Sequence, residues 1–132
     1  MKVSHPRQTI LLVDDEPEVL HLFKRILSSE GTLILTAHTG AKALEIARQT
    51  RLDLVLLDIR LPDLEGTEVL RALRRIDPTL PIIMVTSYGS TDTVRASMEL
   101  GAFDYLTKPF DNREIRRVVR EAMVSRVGGQ SR

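Results

Sequence analysis

Leu54-Val55-Leu56-Leu57-Asp58-Ile59 is the stretch of sequence that decides the fold. Four consecutive apolar residues, rich in branched side chains, are typical of a β-strand that is covered on both faces. The apolar run stops at a carboxylate, and Pro62 and Gly66 then mark a loop. Ligands of open parallel sheets bind just beyond the carboxyl ends of the strands, which is where we expect Asp58 to stand. A single aspartate at a strand end is more often an ordinary polar cap, so its meaning depends on its neighbours.

Length and composition indicate one ordinary globular domain. The 132 residues are enough to bury a hydrophobic core, and contents of 42% hydrophobic and 28% charged residues are usual. A net charge of +1 gives no electrostatic reason to expect nucleic acid as a partner. The absence of cysteine excludes disulfides, thiolate metal sites and cysteine nucleophiles. With no apolar run near the roughly 20 residues of a membrane span and no signal-peptide core, we expect a cytoplasmic protein without membrane contact.

Strand and helix patterns alternate five times along the chain. Each apolar strand pattern is followed by a segment whose apolar residues recur at helical spacing, and Asp111 with Glu114 predicts a capping box for the last helix. Five such units with short connections predict an α/β fold, a doubly wound parallel sheet with helices on both faces. The predicted strands are residues 9–13, 32–37, 54–58, 81–86 and 102–106, within a domain at 9–126 that an N-terminal extension at 1–8 precedes and a flexible tail or linker at 127–132 follows.

Polar side chains collect at the carboxyl ends of these strands. Asp14 and Asp15 end the first strand, Asp58 ends the third, Thr86 ends the fourth, and Lys108 follows the fifth. Strands one and three are neighbours in a doubly wound sheet of this size, so the carboxylates are expected to cluster. Clustered carboxylates repel one another, and a hard cation such as Mg²⁺ relieves that repulsion with oxygen ligands. Together with an ammonium and a hydroxyl, this set suits phosphoryl transfer.

The segments Leu12–Pro17, Leu57–Asp63, Val85–Ser87 and Tyr105–Phe110 resemble the receiver domain of bacterial two-component response regulators. The resemblance extends over residues 9–123, and implies a flavodoxin-like fold with five helices and the strand order 2-1-3-4-5. It is strongest to receivers of enhancer-binding transcriptional regulators, judged by residues 88–90 and 101–110.

The resemblance also implies a role for each acidic residue of the site. Asp58 matches the aspartate that a histidine kinase phosphorylates. Asp15 and Asp58 match carboxylate ligands of Mg²⁺, the backbone carbonyl of Arg60 matches a third protein ligand, and Asp14 matches a residue that holds the metal through water. Such a domain catalyses only its own phosphorylation and dephosphorylation and is not an enzyme in the metabolic sense.

The remaining site residues are assigned by the same resemblance. Lys108 is expected to pair with Asp58 at rest and with a phosphoryl oxygen afterwards, and Thr86 to donate to another phosphoryl oxygen. The Lys108–Pro109 peptide bond is expected to be cis. Tyr105 matches a switch position, so phosphorylation is expected to remodel the face formed by helix four, strand five and helix five. A histidine kinase or phosphotransfer protein is the implied partner, and the face would also allow a phosphorylation-dependent homodimer.

Other interpretations of these residues stay open at this point. Asp15 would also suit a helix cap, Thr86 a plain strand residue and Lys108 a solvated charge. Tyr105 would also fit a fixed core aromatic. The competing function is a small Mg²⁺-dependent phosphohydrolase with an aspartyl nucleophile. Hydrolases resembling haloacid dehalogenases have a second aspartate two residues after the nucleophile, where this chain has Arg60.

Two residues near the predicted acceptor bear on how long a phosphoryl group would survive. Arg60 and Tyr88 lie two positions beyond Asp58 and Thr86, and we expect their side chains to shield the phosphoryl group from water. The sequence leaves open the cognate kinase, the output, and whether the chain is a stand-alone receiver or one part of a larger regulator.

Overall fold

The computed structural model describes residues 8–29, 31–87 and 91–130. Strands and helices alternate throughout, as the sequence pattern predicts. The expected N-terminal extension falls on residues 1–7, outside the described part of the chain, and on Gln8, which already belongs to the first strand. The elements are β1 Gln8–Val13, α1 Pro17–Leu27, β2 Thr32–Ala37, α2 Gly40–Gln49, β3 Leu54–Asp58, α3 Gly66–Ile76, β4 Ile82–Thr86, α4 Thr91–Glu99, β5 Asp104–Thr107 and α5 Asn112–Gln130.

The five strands form one sheet in the order β2-β1-β3-β4-β5, which confirms the predicted topology. All described pairs of neighbouring strands are parallel. Val13 pairs with Leu57, so the acidic residues that follow β1 come beside the end of β3. Thr86 pairs with Thr107, which places the residue after β5 beside the end of β4. The register therefore brings the predicted site residues to one edge of the sheet.

Two hydrophobic clusters cover the two faces of the sheet. Val55 and Leu57 of β3 pack on one face with α2 and α3, whereas Leu54 and Leu56 pack on the other face with α1 and α5. All four side chains are almost completely buried. This two-sided burial is the physical reason for the unbroken apolar run in β3, because every position along the strand meets a core.

The structure differs from the predicted boundaries at the last strand. The strand pattern from residue 102 enters the ladder only at Asp104, because the Ala102 N–H donates to the carbonyl of Ser97 and ends the turn after α4. Gly101 makes that turn possible with a φ of +100°, a value at which residues with a Cβ are strained.

The last helix is longer than the sequence pattern suggests. α5 continues to Gln130, into the segment at 127–132 where a tail or linker is predicted. Residues 131–132 lie outside the described part of the chain. None of the helices in the described ranges has the length and apolar character that a membrane span requires.

Side chains cap both α3 and α5. Asp111, predicted as the cap of α5, accepts the N–H of Arg113 at 2.9 Å. A complete capping box is present at α3, where Glu65 and Glu68 accept each other's backbone N–H groups. Glutamate is an uncommon N-cap, which is why the pattern is inconspicuous in the sequence.

Candidate functional site

Three carboxylates meet where β1 and β3 end. Asp14 and Asp15 directly follow β1, and Asp58 is the last residue of β3. One carboxylate oxygen from each residue lies within 4.8 Å of the others. Asp14 and Asp58 are buried, with 2% and 6% of their surfaces exposed, whereas Asp15 is exposed. The structure therefore assembles the acidic cluster that the strand order predicts.

Burial and mutual repulsion make the Asp58 carboxylate costly to ionise. Burial, and then the negative charges of Asp14 and Asp15, raise the pKa of Asp58 from 3.8 to about 6. A hydrogen bond from the Arg60 N–H to Asp58 Oδ1, at 3.1 Å, and the positive charge of Lys108 oppose this rise in pKa. Burial raises the pKa of Asp14 as well. Keeping these carboxylates ionised therefore costs free energy, and a bound cation would reduce that cost.

Lys108 lies among these carboxylates. Its Nζ is 3.7 Å from Asp58 Oδ2, 3.3 Å from Asp14 Oδ2 and 2.9 Å from Glu16 Oε1. Burial alone would lower the pKa of Lys108, but the hydrogen bond to Glu16 and the charges of Asp58 and Asp14 outweigh it and raise that pKa. The predicted pairing with Asp58 is therefore present as the longest of three contacts. Glu16 is not among the predicted site residues, although it continues the acidic run of Asp14 and Asp15 after β1 and could have been included on that ground.

Thr86 completes the site from β4. Its side chain is buried, with 5% of the residue exposed, and its carbonyl accepts the N–H of Lys108 at 2.8 Å. This bond ties the end of β4 to the segment after β5. A cleft of about 270 Å³ opens between the strand ends, and it is lined by Asp15, Glu16, Asp58, Ile59, Arg60, Thr86, Ser87, Thr93 and Lys108.

The backbone beyond Asp58 is held by a glycine. The Gly66 N–H donates to the carbonyl of Ile59 at 2.7 Å, which closes the loop between β3 and α3. A Cβ on Gly66 would lie 2.6 Å from both the Asp58 carbonyl oxygen and the Ile59 Cα. Only glycine permits this approach, so the local backbone of Asp58 and Arg60 depends on it.

Two further predictions concern residues around the cleft. The Lys108–Pro109 peptide bond is cis, as expected. Tyr105 lies on β5 with 41% of its surface exposed, so it is not the buried core aromatic that was the alternative interpretation. Tyr88 lies outside the described residues.

The donor set fits a hard divalent cation. Three carboxylates supply oxygen atoms at one point, and oxygen ligands are those that Mg²⁺ accepts. The buried Oδ2 of Asp14 accepts no hydrogen bond from the described residues, although Lys108 lies near it. A cation, or a water molecule bound to a cation, would satisfy that oxygen.

Sequence comparison places the chain among proteins of one family. The family model of the response regulator receiver domain matches residues 10–120. Sporulation initiation phosphotransferase F of Bacillus subtilis is 39% identical, over 86% of this chain and 92% of that protein. The transcriptional regulatory protein CpxR of Escherichia coli is 44% identical over 80% of this chain and 45% of its own length. For the transcriptional regulatory protein GlrR of E. coli, at 33% identity, the match covers 92% of this chain but only 27% of the relative.

Solved structures agree with the sequence comparison. A CheY-like receiver domain protein from Methanospirillum hungatei superposes with a TM-score of 0.89 at 33% identity, covering 93% of this chain and 98% of that one. NtrX from Brucella abortus, in a complex with ADP, gives a TM-score of 0.88 at 31% identity, covering 95% of this chain and 29% of NtrX. The chain therefore belongs to the response regulator receiver domain family, whose members are signalling domains rather than metabolic enzymes.

Proposed function

We propose that this receiver accepts a phosphoryl group on Asp58 from the phosphohistidine of a histidine kinase or phosphotransfer protein. The observation that carries the proposal is the convergence of Asp14, Asp15, Asp58 and Lys108 at one sheet edge, beside an open polar cleft. Phosphoryl transfer depends on positioning and on charge stabilisation, and this edge offers both.

The transfer is a displacement at phosphorus. An ionised Asp58 oxygen forms the new O–P bond while the N–P bond of the phosphohistidine breaks, and the imidazole leaves with that electron pair and is protonated. Lys108 would hold one equatorial phosphoryl oxygen, and the Thr86 hydroxyl another. The same groups would serve hydrolysis, a separate reaction in which a water oxygen forms a bond to phosphorus while the Asp58 O–P bond breaks, which releases inorganic phosphate and the free carboxylate. The domain thus catalyses only its own phosphorylation and dephosphorylation.

Magnesium is the proposed cofactor. Asp15, Asp58 and the backbone carbonyl of Arg60 would hold it directly, and Asp14 would hold it through water. When bound, Mg²⁺ supplies positive charge that offsets the carboxylates and the incoming phosphoryl oxygens. The Asp14 Oδ2, which accepts no hydrogen bond from the described residues, and the raised pKa of Asp58 support this assignment, because a cation would bind that oxygen and offset the cost of keeping the buried carboxylates ionised.

Signal output is proposed to pass through the face that comprises α4, β5 and α5, hereafter the output face. Phosphate on Asp58 would draw the Thr86 hydroxyl inward, and the Tyr105 ring would move into the vacated space beside β4. Tyr105 and Met98 are both 41% exposed and belong to this face, so it carries apolar surface for a partner or a second copy. The size of the response is limited by how differently the phosphoryl group binds the two states.

A turnover experiment separates this proposal from a small phosphohydrolase. The protein is incubated with phosphoramidate and Mg²⁺, and separately with an organic phosphate monoester, while released phosphate is followed. The proposal predicts about one stable phosphoryl group per chain and little turnover of the monoester. Many turnovers on the monoester, abolished in Asp58→Asn, would instead support the hydrolase.

A further inference from the structure

Lys108 lies closer to Glu16 than to the predicted phosphoacceptor. The Nζ–Oε1 contact of 2.9 Å is a hydrogen bond, whereas the Nζ–Oδ2 distance to Asp58 is 3.7 Å. The Lys108 side chain is only 15% exposed, and that of Glu16 is 59% exposed. A largely buried ammonium is therefore held from the solvent side by a carboxylate that has open space around it.

Glu16 is an unusual residue for its backbone position. It is the N-cap of α1, where Ser, Thr, Asp and Asn are preferred because their short side chains accept a helix N–H. The Glu16 side chain makes no capping hydrogen bond and extends instead to Lys108, 92 residues away in sequence. Asp14 fixes the turn by accepting the Glu16 N–H at 2.9 Å. The Glu16 side chain thus forms the ion pair with Lys108 and does not cap α1.

We infer that Glu16 is a positioning residue that holds Lys108 in the resting protein and competes with the phosphoryl group for the ammonium. This inference rests on the proposed function. An ammonium has three N–H donors, and in the resting site three carboxylates lie within 3.7 Å of it, of which Glu16 accepts a hydrogen bond. A phosphoryl oxygen on Asp58 needs one donor at close range, and moving Nζ toward it weakens the contact to Glu16. Glu16 therefore favours the unphosphorylated state.

The test compares Glu16→Gln with Glu18→Gln, which removes an equal charge from an exposed position in the first turn of α1. Beryllofluoride, a mimic of the aspartyl phosphate, is titrated into each variant by calorimetry at saturating Mg²⁺. Glu16→Gln is expected to bind it about two- to fivefold more tightly, the upper part of the range for an exposed ion pair. Glu18→Gln should change the affinity by less than about twofold, since exposed charges beyond contact are screened.

A double-variant comparison shows whether the effect passes through Lys108. In a Lys108→Met background, Glu16→Gln should alter the beryllofluoride affinity by less than about twofold, because the contested ammonium is gone. A metal-free measurement supports this: NMR resonances of the Lys108 side chain should shift in Glu16→Gln and stay in place in Glu18→Gln. Unchanged affinity in Glu16→Gln, or an equal gain in the Lys108→Met background, would overturn the inference and leave the proposed function intact. Failure of the wild type to bind beryllofluoride would overturn both.

Discussion

As the proposed phosphoacceptor, Asp58 has to meet two requirements that oppose each other. A phosphoacceptor must be ionised to attack phosphorus, yet this carboxylate is 6% exposed and lies beside two other aspartates. Burial and the neighbouring charges raise its pKa from 3.8 to about 6, so at neutral pH the ionised form is present at a cost in stability. Lys108 and the Arg60 N–H reduce the cost without removing it.

We expect Asp58→Asn to stabilise the metal-free protein at about pH 7.5 by roughly 1–2 kcal/mol. The folded wild type holds more protons than the unfolded chain between its pKa of about 6 and the ordinary 3.8, so its stability falls as pH rises through that window. Asparagine has no such titration, and the difference should vanish below about pH 4. Urea unfolding of both proteins across this range, in the presence of a chelator, measures the effect. A pH-independent difference would contradict it.

Asp15→Asn tests the metal assignment. The carboxylate is exposed and its loss removes one repulsive charge, so the fold should be retained, with equal or slightly greater stability without metal. Phosphorylation by phosphoramidate should be abolished, because the variant loses a proposed Mg²⁺ ligand. Circular dichroism checks the fold and intact-mass spectrometry checks the phosphorylation. Phosphorylation at the wild-type rate would show that Asp15 holds no essential metal.

A site residue can be predicted from the sequence when the strand order alone fixes its position. The carboxyl ends of parallel strands must meet at one edge, and this identifies Asp14, Asp15, Asp58, Thr86 and Lys108. Glu16 is different, since its role depends on where a flexible side chain goes across 92 residues of sequence separation. Periodicity and strand order contain no information about that direction.

At the scale of elements, the loop between β3 and α3 connects the site to two helices. Gly66 brings the start of α3 against the end of β3, and Asp63 accepts the N–H groups of Gly40 and Ala41 at 2.8 and 2.9 Å. Hydrogen bonds from Ala41 and then Gly40 lower the pKa of Asp63, so the carboxylate is ionised and complements the positive end of α2. These contacts hold the loop against the start of α2 and against the end of β3.

We expect Gly66→Ala to destabilise the protein by about 2–3 kcal/mol and to slow phosphorylation at least about tenfold. Its Cβ would meet backbone atoms of Asp58 and Ile59 at 2.6 Å, and backbone atoms move only if the loop moves. Gly40→Ala is the matched control, since its nearest contacts, at 2.8 and 2.9 Å, are side-chain atoms of Val69 and Leu64. Gly40→Ala should cost about 1 kcal/mol and leave the rate within about twofold.

Thermal unfolding and phosphoramidate kinetics measure both glycine variants. Equal rate losses in the two would indicate general destabilisation and would contradict the specific role of Gly66.

Element boundaries are less predictable than the elements themselves. Apolar periodicity identifies all five strands and five helices, because each must bury a face. The first two residues of the expected fifth strand fall outside the ladder. The start of that strand depends on the turn after α4, in which the Ala102 N–H donates to the Ser97 carbonyl. The extent of α5 past residue 127 is not predicted either, because Gly128 and Gly129 are poor helix formers.

Across the whole molecule, the charged site and the proposed output face occupy different parts of the surface. The carboxyl edge of the sheet holds the charged site, and the output face carries exposed apolar residues, among them Met98 and Tyr105. Residues of β4 and β5 connect the two, through the register that pairs Thr86 with Thr107. A chemical change at Asp58 therefore has a short path to a surface that a partner can contact.

Beryllofluoride binding should change that surface as a whole. We expect the Tyr105 ring to become less exposed, with a change in its fluorescence or NMR environment, and the chain to self-associate more strongly through the output face. Analytical ultracentrifugation with and without the mimic measures association, and Tyr105→Ala is the control that should lose the response. If the mimic is bound while neither Tyr105 nor the association state responds, the proposed switch is wrong.

Chemical mapping shows whether Asp58 is the Mg²⁺-dependent phosphoacceptor. The protein is phosphorylated with phosphoramidate, with either Mg²⁺ or a chelator, and reduced with borohydride, which converts an aspartyl phosphate to homoserine. Peptide mass spectrometry then locates the homoserine. We expect homoserine at position 58 in the Mg²⁺ sample and none in the chelator sample or in Asp58→Asn. Homoserine at Asp14 or Asp15, or equal modification of Asp58 without a divalent cation, would contradict this assignment.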